Sequence, residues 1–275
     1  MYLKLAKSNQ EFRDTYQYLI DKYELELQLF YINIIHDVEL QNYHIRGGVY
    51  DENDNLALLF LNANPHRLLL FGLNNSIEAT KVLVEYIENN NIAITGILGN
   101  KADTDLYIQV SKKAFKLDLA MDIMAIDEFQ VLPRKGRLVV PTADDIDFIA
   151  QGICNFTKEA LHDSITFYEA REKVQLYLSR GYFYLYENEE GKKTSFAGLT
   201  KRSPNSLTIS AVYTFDEYRG KGYAKSMINF ICEWALQQVK HVALFVDKKN
   251  PISNKVYLDN GFKYIRDNYS YIICD

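Results

Sequence analysis

The sequence is short of cysteine. Cys154, Cys232 and Cys274 are the three in 275 residues, too few and too scattered for a disulfide framework or a Cys-x-x-Cys metal site. A reducing compartment is therefore expected, and the cytoplasm is the location this reading assigns. Long hydrophobic runs are also missing. Nothing approaches the ~18 apolar residues of a membrane-crossing helix, and the N-terminus has no basic segment followed by an apolar core and a small-residue cleavage site. Neither a membrane nor secretion is expected. Positive charge is not in excess: 31 Lys+Arg stand against 36 Asp+Glu, a formal net of -5, with no Lys/Arg run. That balance speaks against a nucleic-acid partner or an anionic membrane surface. His36, His44, His66 and His241 show no ligand spacing, and no metal is expected.

What is present is apolar and aromatic. With 48% hydrophobic residues, the chain is long enough for two domains, each with its own core. The 21 Tyr and 15 Phe are mostly interleaved with aliphatics, as packing residues are. The first half reads as a helical stretch over 9–39, with Phe12, Tyr16, Leu19 and Ile20 on its apolar face. A strand from Gly47 to a turn at 51–55 and a second strand over 56–61 follow as a hairpin, then a turn at 64–66. A strand over 67–72, a helix to about 89 capped by Ser76, a strand over 92–98, a helix over 103–113 and a strand over 117–126 complete the half. The second half repeats that order. A short strand over 137–140 leads to a helix capped by Thr142 and helical character to 180, irregular over 155–164. A hairpin (182–186 and 194–199), a strand over 207–213, a helix over 224–238, a strand over 242–246 and a helix over 250–260 come next. Strands over 262–265 and 269–274 close it. The repetition predicts two copies of one mixed α/β unit, 1–130 and 137–275, joined through the linker-like Pro133-Arg134-Lys135-Gly136.

The stretch 207–262 organises the second copy. An alternating run, Leu207 to Tyr213, leads into Tyr218-Arg219-Gly220-Lys221-Gly222-Tyr223-Ala224. A helix follows, with Ala224, Met227, Ile228, Ile231 and Ala235 on one face. Glycines before a helix let the backbone approach a ligand, and the free N–H groups of the first turn, with the helix dipole behind them, suit a phosphate. Arg219 and Lys221 add positive charge there. A solvated turn whose glycines relieve backbone strain is the plainer alternative. The first half has Phe71-Gly72-Leu73-Asn74-Asn75-Ser76 at the matching place, with no second glycine and no basic residue, so the chemistry is expected in the second half.

Arg219-Gly220-Lys221-Gly222-Tyr223-Ala224 resembles the Arg/Gln-x-x-Gly-x-Gly/Ala acetyl-CoA motif of the GNAT superfamily of N-acetyltransferases. Downstream, the run from Asn250 through Ser253, Asn254 and Tyr257 to Gly261-Phe262 resembles that superfamily's Asn-x-x-(Ala/Ser)-x-x-x-Tyr-x-x-x-Gly-Phe signature. Val212-Tyr213-Thr214 before the turn further resembles a subgroup, the tandem form, in which a degenerate GNAT-like half precedes an active one; the GNAT-like resemblance itself covers about 136–275. The fold implied is α/β: two GNAT-like acyl-CoA N-acyltransferase units, each a central mixed sheet flanked by helices.

The resemblance implies an acyltransferase that moves the acetyl group of acetyl-CoA, a co-substrate, directly to a primary amine of a small molecule or peptide. The N–H groups of Gly220, Gly222, Tyr223 and Ala224 would meet the pyrophosphate, with the charges of Arg219 and Lys221 beside it. The strand end at Val212, Tyr213 and Thr214, bulged and splayed from the next strand in the superfamily, would pair with pantetheine, and one of its N–H groups would polarise the thioester carbonyl. Asn250, with Ser253 or Asn254, would touch the cofactor, although Asn250 followed by Pro251 is equally a plain helix cap. Tyr257 would protonate the departing thiolate. Glu159 is the candidate general base, with His162 nearby; an exposed helix carboxylate and a surface histidine are the plainer readings. Transfer of another acyl group, as in mycothiol synthases or aminoacyl-tRNA-dependent transferases, and a non-catalytic acyl-CoA-binding module are the alternatives. The expected partners are acetyl-CoA and an unidentified amine; the expected state is a monomer or homodimer.

Overall fold

The computed structural model describes residues 1–35, 43–63 and 67–274. The chain begins with β1 (Tyr2–Leu5), α1 (Asn9–Lys22), α2 (Gln28–Ile35), β2 (Tyr43–Tyr50), β3 (Leu56–Ala63) and β4 (Leu68–Gly72). It continues with α3 (Ile77–Asn89), β5 (Gly96–Gly99), α4 (Lys101–Val110), β6 (Phe115–Ile126), β7 (Arg137–Val139), α5 (Ile146–Ala160) and α6 (Phe167–Ser179). The remainder is β8 (Phe183–Glu187), β9 (Lys193–Ser203), β10 (Ser206–Thr214), α7 (Tyr223–Ala235), β11 (His241–Asp247), α8 (Pro251–Asp259) and β12 (Lys263–Ile273). The expected turn at 64–66, the tail of the expected first helix with His36, and the side chain of His44 lie outside the described residues.

Local chemistry accounts for most boundaries. Ser8 caps α1 by accepting from the Glu11 N–H at 3.0 Å, and Phe12, Tyr16, Leu19 and Ile20 are its buried face. The long first helix instead breaks after Lys22 and restarts at Gln28, a buried amide whose Nε2 donates to the Leu25 carbonyl at 2.8 Å. Asn100 caps α4 through the Asp103 N–H at 2.7 Å, so this helix starts earlier than 103. The strand expected over 92–98 is shorter and later, at β5. The two closing strands are one, because Arg266-Asp267-Asn268 stays extended: Arg266 pairs with Asp103, Asp267 accepts from the Lys101 N–H, and Asn268 is buried. The tip residues 155–160 are helical, and the irregular stretch begins only after Ala160.

The chain divides into two compact units, 1–123 with 265–275, and 124–264. These are not the contiguous halves drawn from the sequence. The segment 265–275 packs with the first unit, and residues 124–136 are fastened within the second. There Asn229 accepts from the Leu132 N–H at 3.1 Å and donates to the Gln130 carbonyl at 3.0 Å. Linker composition is thus overridden by hydrogen bonding.

In the first unit the strand order is β1-β2-β3-β4-β5-β12, with β4 and β5 parallel and the other pairs antiparallel. The parallel pair is short, Leu68 opposite Ile97 and Leu69 opposite Leu98. Beyond it the Asp103 carboxylate, 3% exposed, accepts from the Gly72 N–H at 2.9 Å and pairs with Arg266 at 3.0 Å. In the second unit the order is β11-β10-β9-β8-β7, with β10 and β11 parallel and the rest antiparallel. Met227, Ile228, Ile231, Cys232 and Ala235 of α7 fill one face with Val242, Leu244 and Phe262. Each large aliphatic buried there contributes roughly 1.5–3 kcal/mol. Ile149, Ala150, Val174 and Tyr213 build the other face. Strand, helix, parallel strand, helix recurs in both units, as β4-α3-β5-α4 and β10-α7-β11-α8, and the fold is a mixed α/β tandem.

Candidate functional site

The site begins where β10 stops being an ordinary strand. Its parallel pairing with β11 runs from Ser206 opposite His241 to Ile209 opposite Leu244 and goes no further, although both strands continue. On its other side the register with β9 slips between Ser210 and Tyr213. Three steps along β10 there match two along β9, which is one extra residue, a bulge. Ala211 carries it at φ 48, a left-handed conformation that costs a non-glycine residue of order 1 kcal/mol or more. Past the bulge, Tyr213 pairs with Phe196 and Thr214 with Ser195, and the Phe215 N–H reaches the Thr194 carbonyl at 3.1 Å. Successive N–H groups point to opposite edges of a strand. The N–H of Thr214, and by the same alternation that of Val212, therefore points away from β9 to the edge where β11 has diverged.

A short turn joins this edge to α7. The Tyr218 and Arg219 N–H groups close onto the carbonyls of Phe215 and Asp216. Gly220 (φ 77) and Gly222 (φ 83) then reverse the chain. A Cβ at either would meet nothing within 4 Å, so backbone conformation, not crowding, requires glycine. Gly222 is the N-cap of α7 and no side chain caps it. The N–H groups of Tyr223, Ala224 and Lys225 are left without intrahelical partners, as at any helix start, beside an open turn. Gly220, Lys221, Gly222, Tyr223 and Ala224 make up this turn and the start of α7. Lys221 Nζ bonds the Glu217 carbonyl at 3.0 Å and lies 5.5 Å from the Tyr218 ring centre.

Asn250 caps α8 by accepting from the Ser253 N–H at 3.0 Å, with Pro251 in the first turn. Asn254 bonds back to the carbonyls of Asp247 and Asn250, tying α8 to the end of β11. Tyr257, two helical turns on from Asn250, is 6% exposed and packs in the α7 core, its ring 5.9 Å from Phe262. Burial pushes its phenol well above the ordinary tyrosine value, so it keeps its proton at neutral pH. Its hydroxyl makes no hydrogen bond among the described residues. Glu159, on the last turn of α5, has both oxygens engaged: Oε1 accepts from Tyr213 Oη at 2.9 Å and Oε2 from Arg219 Nη2 at 2.7 Å. His162 is exposed just past that helix at φ 53.

Several contributors escaped the sequence. Asn229, fully buried, donates to Asn260 Oδ1 at 3.1 Å, and Asn260 reaches the Lys225 carbonyl at 3.3 Å. This locks the first turn of α7 to α8. Asp216 pairs with Arg219 at 3.0 Å. In the first unit, Asn100 caps α4 and Tyr107, seven residues on, is buried. That repeats the Asn250–Tyr257 spacing and could have been found by aligning the halves. Among the described residues no His, Cys, Asp or Glu cluster is placed to hold a metal ion, and no helix is long and apolar enough to cross a membrane.

A bulged strand whose parallel pairing stops short, an uncapped glycine-led helix after it, and a second capped helix carrying a buried tyrosine thus belong to the second unit. Residues 151–262 match the model of the Acetyltransferase (GNAT) family, and this stretch is a GNAT acetyltransferase domain. The whole chain is similar to an acetyltransferase from the GNAT family from Colwellia psychrerythraea, at 12% identity and TM-score 0.61, covering 100% of both chains. It is also similar to a tandem GNAT protein from the clavulanic acid biosynthesis pathway, at 10% identity and TM-score 0.54, covering 99% of this chain and 98% of that one. A GCN5-related N-acetyltransferase from Sphaerobacter thermophilus is similar at 14% identity and TM-score 0.58, over 86% of this chain and 82% of that one. At these identities the likeness is one of fold. No curated protein matches the chain.

Proposed function

We propose that the second unit is an N-acetyltransferase that moves the acetyl group of acetyl-CoA directly to a primary amine of a small molecule or peptide. The observation that carries this is the bare inner edge of β10 beyond Ile209, ending beside the uncapped N-terminus of α7. An extended thioester arm fits the first and a diphosphate the second. The residues present fit acetyl-CoA in chemistry as well: left-handed glycines with open space, outward N–H groups, and a protonated phenol nearby.

Acetyl-CoA supplies the activated acyl carbon. Gly220, Lys221, Gly222, Tyr223 and Ala224 hold the pyrophosphate with backbone N–H groups. Asn250 and Ser253 build the first turn of α8, which together with Asn254 borders the cofactor. Val212 and Thr214 present N–H groups along the arm, and one of them stabilises the negative charge that develops on the carbonyl oxygen. As the amine nitrogen bonds to the acyl carbon and gives up a proton to water, the carbon–sulfur bond breaks and Tyr257 delivers its proton to sulfur, to be reprotonated from solvent afterwards. A desolvated phenol suits that step, since a thiolate leaving into the same apolar surroundings is also made more basic.

The test is thiol release from acetyl-CoA with a panel of amines. Wild type should turn over at least one amine, and Tyr257→Phe should lose about 10²–10⁴-fold in kcat while its acetyl-CoA affinity stays within a few-fold. Tight binding without turnover on any amine would favour a binding module, turnover with a different acyl donor would favour another acyl transfer, and absence of acetyl-CoA binding would sink the reading.

A further inference from the structure

Arg219 leads the glycine turn, where the motif would give it a phosphate, yet its guanidinium is already occupied. Nη2 lies 2.7 Å from Glu159 Oε2 and 3.0 Å from Asp216 Oδ1, and Nε donates to the Thr214 carbonyl at 2.9 Å. The guanidinium also stands 5.2 Å from the Tyr213 ring centre, while the Tyr213 hydroxyl binds the other Glu159 oxygen. Two carboxylates around one guanidinium leave the cluster net negative, so this arginine adds no positive field for a diphosphate. What the cluster does is mechanical. It fastens the last turn of α5 to the end of β10, whose N–H groups the ligand would use, and to the start of the 215–222 turn, which leads into those of 220–224.

We propose that Glu159 is a positioning residue, not the general base: with Tyr213 it holds Arg219 against the Thr214 carbonyl and so pre-organises the strand end and the glycine turn for acyl-CoA. This rests on the acyl-CoA reading above. The effect belongs in binding, because donors already fixed in place lose less freedom when the ligand arrives. Both Glu159 oxygens are committed to Tyr213 and Arg219, so removing its charge loosens that contact and leaves the chemical step in place.

The experiment compares wild type, Glu159→Gln and Tyr213→Phe by calorimetric titration with acetyl-CoA and by steady-state kinetics across pH, with circular dichroism and melting to confirm folding. Glu159→Gln should weaken acetyl-CoA binding about three- to tenfold, the scale of a half-exposed charged contact within a network. KM for acetyl-CoA should rise in proportion, with kcat within about twofold and the acid limb of the pH profile intact. Tyr213→Phe should move the same way by less. A collapse of kcat with unchanged KM and loss of the acid limb would make Glu159 the base and overturn the inference. Tighter binding in Glu159→Gln would show that the carboxylate competes with the ligand for Arg219, and unchanged affinity in both folded variants would remove the positioning role; either overturns it too. If wild type itself binds no acetyl-CoA, the underlying reading falls and takes this inference with it; wild-type binding with unaffected variants sinks this inference alone.

Discussion

Two glycines at matching places in the two units are needed for opposite reasons. Gly222 sits at φ 83 with open space around a would-be Cβ, whereas a Cβ on Gly72 would stand 2.1 Å from Asp103 Oδ1. Gly222→Ala should therefore cost about 1–2 kcal/mol, the backbone penalty of a left-handed alanine. Gly72→Ala must also displace a buried carboxylate from its N–H and arginine partners, and should cost more, about 3 kcal/mol or above. Urea unfolding of both variants checks the ordering; equal losses would mean that the Asp103 contact is dispensable. At this scale the sequence disclosed the turn and the tyrosine, because fixed spacing carries them. It did not disclose the partners of Arg219. Glu159, Tyr213 and Asp216 meet through tertiary packing, and no local pattern records which carboxylate reaches which guanidinium.

Among elements, the start of α5 shows how a cap responds to pH. The Asp145 carboxylate accepts from the Thr142 N–H at 2.7 Å and from its hydroxyl at 3.1 Å, and is ion-paired with Lys193. Burial alone would raise its pKa, but the Lys193 ammonium and the Thr142 donors outweigh it and hold the carboxyl below the usual aspartate value. A depressed folded pKa means that the unfolded chain takes up the proton first. The stabilisation is thus complete above the unfolded value and lost as pH falls through the folded one. Wild type should exceed Asp145→Asn by about 1–2 kcal/mol, a margin constant above about pH 5 and shrinking below about pH 4. Urea titrations across that range measure it; a margin that widened in acid would contradict it. The helix itself was legible, since Thr142 followed by acidic residues is a start signal. The strand β1 was not, because four residues carry little periodicity and its pairing with β2 is set from 42 or more residues away. Nor was the continuity of β12, where Arg266, Asp267 and Asn268 read as turn formers until their tertiary partners are known.

For the whole molecule, repeated element order was enough to expect two units, but not to expect that the first would be completed by residues that follow the second. Residues 269–272 form a ladder with β5, and Arg266 neutralises the buried Asp103. A variant ending at residue 264 should keep hydrogen-exchange protection over 124–264 and lose it over much of 43–123. It would leave Asp103 buried without its arginine, a loss of about 3–5 kcal/mol before the missing strand is considered. Protection retained across both units would refute that division of labour.

The same division has a consequence in time. As the chain leaves the ribosome, the segment 124–264 is contiguous and can close its own core, while the segment before it must wait for residues 265–275, which emerge after that core. Domains usually fold from the N-terminus forward during synthesis. Here the order is inverted: the unit made first is finished second, and until then its unpaired β5 edge is exposed to pairing with other chains.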